Sequence, residues 1–103
     1  LFMLFEASSF NLPAPNTTDG DWCVYLILCA NGALYCGISN HPEQRFVAHM
    51  AGKGARYTRM HKPIEMRLVY KQLFRVQATQ IEPQIKKLNA AQKRLLWTHL
   101  SGL

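Results

Sequence analysis

Acidic residues are scarce in this chain. Its 103 residues hold six Asp and Glu against twelve Lys and Arg. Three of the six acids (Glu6, Asp19 and Asp21) fall in the first 21 residues, where no Lys or Arg occurs. Residues 22–103 therefore carry twelve basic side chains against three acidic ones. A small domain with that imbalance attracts polyanions, of which nucleic acid is the commonest. Binding to an anionic membrane surface would call for a basic amphipathic helix with a strong apolar face, and none stands out. Long hydrophobic runs are also missing, and nothing approaches the roughly 20 apolar residues of a bilayer span. The opening Leu1 to Phe5 has no basic residue before it and is closed by Glu6, which makes a poor signal peptide. Cysteine is sparse at three residues, Cys23, Cys29 and Cys36, with no Cys-x-x-Cys. The four histidines sit at no ligand-like spacing from them, so a zinc site is disfavoured. Buried free thiols remain, and these suit a reducing cytoplasm.

What is present is a globular composition, 49% hydrophobic, in a chain long enough for one domain with one core. Residues 1–21, with Pro13, Pro15, Gly20 and a run of Asn, Thr and Asp, read as an extension or linker docked by Leu1 to Phe5. Residues 22–103 read as the domain. Trp22 to Ala30 is almost unbroken apolar and predicts a strand covered on both faces. Asn31-Gly32 signals a turn, and Ala33 to Ser39 the returning strand. Asn40 is expected to cap a helix over Pro42 to Met50, with Pro42 in its first turn. Gly52 and Gly54 end that helix and open a basic loop through Lys62. A third strand follows Pro63, with Ile64, Met66, Leu68 and Tyr70 on one face. Helices are expected over about Gln77 to Leu88 and Ala90 to Leu100, with Asn89 as a cap between them. The order β-β-α-β-α-α predicts an α+β fold, a small three-stranded, mostly antiparallel sheet flanked by helices.

These residues also carry a family resemblance. Val24-Tyr25-Leu26, then Tyr35-Cys36-Gly37-Ile38-Ser39-Asn40, then Arg45 and His49, resemble the GIY-YIG nuclease signature. Gly52-Lys53-Gly54-Ala55-Arg56-Tyr57-Thr58 extends the match, followed by Ala78, Glu82, Ile85-Lys86 and Lys93. The pattern is similar to the small stand-alone bacterial members of the YhbQ type and covers nearly all of residues 22–97. It implies a metal-dependent nuclease acting on phosphodiester bonds in DNA, in work such as repair or recombination. RNA is left open as a substrate, because nothing in the sequence reads a 2′-hydroxyl.

The resemblance also implies roles. Glu82 matches the family's single metal-binding carboxylate, whose hard oxygens suit Mg²⁺ or Mn²⁺. Arg45 matches the family arginine, whose planar fork suits phosphate. Tyr25 and Tyr35 match the paired tyrosines, one of which would position or deprotonate the attacking water. His49, one helical turn after Arg45, would share the base role. The bland alternatives are an ordinary surface arginine, core tyrosines, a capping or solvated histidine, and a Glu82 paired with Lys86. In the basic loop, Lys53, Arg56, Arg59 and Lys62 would track a phosphate backbone while Tyr57 stacks on a base.

Two local geometries decide whether these groups meet. A two-residue Asn31-Gly32 turn would put Tyr25 and Tyr35 on opposite faces of the hairpin. A three-residue Ala30-Asn31-Gly32 loop with Gly32 left-handed sets Tyr25 opposite Gly37 and Tyr35 opposite Ile27, so that the rings share a face. The three-residue loop is the expectation. Pro83, directly after Glu82, predicts either a helix that begins near Glu82 or one that bends there. Two other functions fit the same sequence: a non-catalytic nucleic-acid-binding module, and a protein that docks a partner through its N-terminal Phe and Leu cluster.

Overall fold

A computed structural model describes residues 10–14 and 19–103; the proposed docking by Leu1 to Phe5 lies outside the described residues. Strands β1 (Trp22–Cys29), β2 (Leu34–Ser39) and β3 (Pro63–Leu73) form one antiparallel sheet in the order β2-β1-β3. Helices α1 (Pro42–Met50) and α2 (Arg56–Met60) lie between β2 and β3, and α3 (Arg75–Lys86) and α4 (Ala90–Thr98) follow β3. The α+β class and the flanked three-stranded sheet are as expected.

The apolar run of β1 makes it the central strand, and its alternate residues supply two cores. Val24 and Leu26 face Ala78, Ile81 and Ile85 of α3 and Leu96 of α4. Cys23, Tyr25, Ile27 and Cys29 face the other way, with Met66 of β3 and Phe46 of α1. All three cysteines are buried and free. Phe10 and Leu12 are buried in the α3/α4 core, and the Tyr70 hydroxyl donates to the Pro13 carbonyl.

The hairpin takes the three-residue loop. Tyr25 pairs with Gly37 and Ile27 with Tyr35, Gly32 has φ +85°, and the Cys29 amide donates to the Ala33 carbonyl at 2.9 Å. The two tyrosine rings therefore lie on the same face.

Four local expectations are corrected. The cap of α1 is His41, not Asn40, because the Ser39 hydroxyl accepts from the His41 amide at 2.9 Å and the chain turns one residue later. The basic loop contains a helix, α2, held partly by the Thr58 hydroxyl donating to the Ala55 carbonyl at 2.9 Å. In β3 the alternation breaks. Tyr25 pairs with Leu68 while the neighbouring Val24 pairs with Tyr70, so Val69 is the extra residue of a bulge. That bulge sends Tyr70 to the opposite core from Met66. Helix α3 begins at Arg75, well before Glu82, and continues through Pro83. Proline deprives the Thr79 carbonyl of its usual partner. Pro83 falls in the last turn, where both it and Thr79 are exposed, so water can take over that carbonyl.

Candidate active site

Tyr25 stands on the central strand, 1% exposed, with its hydroxyl 3.0 Å from His49 Nε2. Gly37 opposite it makes room, since a Cβ there would overlap the Tyr25 hydroxyl and ring. His49 comes from the last turn of α1 and is fully buried. Its Nδ1 lies 2.6 Å from the Thr58 hydroxyl of α2, and a Cβ on Gly54 would overlap its ring.

This chain of contacts fixes the tautomer. The Thr58 hydroxyl has one proton and gives it to the Ala55 carbonyl. It must therefore accept from His49 Nδ1–H. Nε2 is left as a bare acceptor, and the Tyr25 hydroxyl donates to it. Burial, and then the charge of Arg45, push the His49 pKa down to about 4, so the imidazole is neutral near pH 7. Burial pushes the Tyr25 pKa up to about 12, partly opposed by the Arg45 guanidinium beside it. Both shifts favour the uncharged forms, so the pair rests as a hydrogen bond between neutral groups.

Tyr35 is the more open phenol. Its ring meets His49 edge-on at 5.5 Å and lies 6.3 Å from the nearly parallel ring of Tyr57. Tyr57, 37% exposed, accepts a hydrogen bond from Asn31 Nδ2 at 3.0 Å. Burial raises the Tyr35 pKa; the charges of Lys86 and Arg45 lower it and that of Glu82 raises it. Burial, and then the Glu82 charge, also raise the pKa of Cys36, although Cys36 faces the opposite core from Tyr35. Because β2 is an edge strand, α3 can act around its edge on groups from both faces.

The structure thus brings Tyr25, Tyr35, Arg45 and His49 together and sets Glu82 within electrostatic reach of Tyr35. Arg45 is half-buried, so a plain surface arginine is the poorer description. His49 is neither capping nor solvated. The Lys86 pairing is present, but loosely: Nζ is 3.6 Å from Glu82 Oε2. Lys53, Arg56, Arg59 and Lys62 are all exposed around α2. The sequence marks Asn31 as a turn residue and gives neither it nor Thr58 a role in the site. Thr58 had one signal, as the last residue of the Gly52–Thr58 match, but nothing local said it would be buried against His49.

Among the described residues no group of three or more His, Cys, Asp or Glu could hold a metal ion. A lone hard carboxylate does fit one kind of ion. Mg²⁺ keeps several waters and binds through one or two carboxylates plus substrate phosphate oxygens, as Mn²⁺ can. Glu82, one oxygen loosely paired, fits that mode and not a zinc centre.

Comparison with known proteins identifies the family. Residues 21–95 match the family described as the GIY-YIG catalytic domain. The chain belongs to that family, a nuclease family. It is 56% identical over 77 residues to UPF0213 protein NMA2126 of Neisseria meningitidis serogroup A, covering 75% of this chain and 85% of that protein. It is 45% identical over 76 residues to UPF0213 protein XAC3202 of Xanthomonas axonopodis pv. citri, covering 74% of each. These are small stand-alone bacterial members of the kind the sequence resembles. No solved structure matches. No helix among the described residues is long and apolar enough to cross a membrane.

Proposed function

We propose that this chain is a divalent-cation-dependent nuclease that hydrolyses phosphodiester bonds in DNA. The observation that carries this reading is that Arg45 and Glu82 both lie within electrostatic reach of Tyr35, whose ring backs onto the buried Tyr25–His49–Thr58 chain. Arg45 binds the phosphoryl oxygens, and its positive charge counters the negative charge that grows on them during attack. Tyr35 orients the attacking water, since its phenol is open to solvent where that of Tyr25 is sealed. Tyr25 and His49 are positioning residues. They lock β1, α1 and α2 together and so set the approach of Arg45 and Tyr57. Glu82 would hold Mg²⁺ or Mn²⁺, which when bound supplies positive charge to the phosphoryl and leaving oxygens. Lys53, Arg56, Arg59 and Lys62 hold the backbone on either side.

The test is cleavage of single-stranded, duplex and branched DNA with Mg²⁺ or Mn²⁺. Glu82→Ala and Arg45→Ala should each lose at least about 100-fold in rate while keeping the wild-type circular dichroism spectrum. Folded variants that cut like the wild type would overturn these roles. The Glu82–Lys86 ion pair supports a second reading, a nucleic-acid-binding module without catalysis. That reading requires salt-sensitive binding and no cleavage at any metal or pH.

A further inference from the structure

Beside the candidate site, β2, the last turn of α3 and the start of α4 flank an open cavity of about 380 Å³. That volume is at the small end of ligand sites and fits one nucleotide. Its chemistry is divided. Leu34 and the rings of Tyr35 and Tyr57 supply apolar wall, while Lys86, Lys93 and Arg94 supply three cations. Among the described residues, no acidic side chain lines it. The two rings lie within 13° of parallel. Neither is loose: Asn31 holds the Tyr57 hydroxyl, and His49 backs Tyr35. Lys86 ties the cavity to the site, because it sits one helical turn from Glu82 and pairs with it.

An apolar wall with aromatic faces suits a nucleobase, and a cationic rim suits phosphate. A base inside a duplex has both faces covered by its neighbours and cannot stack on a protein ring. We infer that this cavity is a subsite for an unpaired nucleotide of the DNA strand, next to the phosphodiester that is cut. Its base lies against the Tyr35–Tyr57 wall and its phosphate meets Lys86, Lys93 and Arg94. The subsite rests on the nuclease reading for its place beside the reaction, but its occupancy is measurable without turnover.

The experiment uses the full chain in EDTA with a fluorescein-labelled 12-nucleotide single strand, and the same sequence as a duplex, over a range of salt. The single strand should bind at least about tenfold tighter than the duplex. Lys93→Gln with Arg94→Gln should weaken single-strand binding about tenfold or more. It should also flatten the salt dependence by about 0.7 in log–log slope for each phosphate that is no longer neutralised. Tyr57→Ala, which leaves those charges in place, should weaken it at least about fivefold with the slope unchanged. Equal binding of strand and duplex, or a folded Lys93/Arg94 variant that binds like the wild type, would overturn the subsite. The two readings fail separately. A wild type that binds in this way but cuts nothing would sink the nuclease reading alone. A wild type that cuts but binds without regard to Lys93, Arg94 and Tyr57 would sink the subsite alone.

Discussion

His49 should make the domain lose stability in mild acid, and by a predictable amount. Its pKa is lowered in the folded state, from the ordinary 6.5 to about 4. Between those values the unfolded chain takes up a proton at this residue and the folded chain does not. Stability therefore rises with pH across that window and falls as pH drops from about 6.5 towards 4. Outside the window this group contributes no slope. The full difference corresponds to about 3 kcal/mol, of which most is lost by pH 4.5. That is a large share of the roughly 5–15 kcal/mol that holds a domain of this size. The structural reason is that His49 is sealed, with Nε2 already occupied as an acceptor and the Arg45 charge nearby. A proton on Nε2 would force the Tyr25 hydroxyl to turn its own proton away and accept instead.

Urea unfolding at pH 7 and pH 4.5, for the wild type and for His49→Gln, isolates the effect. Carboxylates titrate alike in both proteins and cancel in the comparison. The wild type should lose about 2 kcal/mol more than the variant over this interval. An imidazole titration by NMR supplies a second reading, with His49 still neutral at pH 5. Equal acid losses in both proteins, together with a His49 imidazole that titrates near 6.5, would refute the buried neutral His49.

Two smaller perturbations test the frame around it. Gly37→Ala puts a methyl group where the Tyr25 ring lies. Denaturant melts should show a loss of about 1–3 kcal/mol, and cleavage should fall with it as the Tyr25–His49 bond is displaced. Asn89→Ala removes an oxygen that accepts from the Gln92 amide at 2.8 Å. Urea titration should show a loss of about 1 kcal/mol, with cleavage per folded molecule unchanged.

Where the chain's own periodicity or turn chemistry decided the outcome, the sequence was legible. The apolar run from Trp22 predicts a doubly covered strand because alternation is lost only when both faces are buried. Asn31-Gly32 predicts a turn, and the demand that Tyr25 and Tyr35 share a face selects its length. Asn89 predicts a cap by side-chain chemistry alone. The misses have tertiary causes. Ser39 competes with Asn40 through a hydroxyl one residue upstream. Helix α2 is five residues long, too short to show a helical period, and Thr58 holds it from inside by bonding both Ala55 and His49. The bulge at Val69 reverses the facing of Tyr70 without leaving a glycine or proline to mark it. Phe10 and Leu12 sit close to the prolines of an apparent linker, and only the packing of α3 and α4 shows where they bury.

The site depended on two geometries, and they matter unequally. The hairpin loop is decisive, because a change of one residue moves Tyr35 to the other face of the sheet, away from His49 and Tyr57. Pro83 is not. A proline in the last turn of α3, on its exposed side, removes one hydrogen bond after the helix has already presented Glu82. What brings Glu82 within electrostatic reach of Tyr35 is the edge position of β2, since a strand in the middle of the sheet would have screened α3 from the opposite face. The same open edge leaves the cavity beside Lys86 accessible. One feature of sheet order thus serves two ends: it lets a carboxylate from one face act on a phenol from the other, and it leaves a basic groove leading away from them.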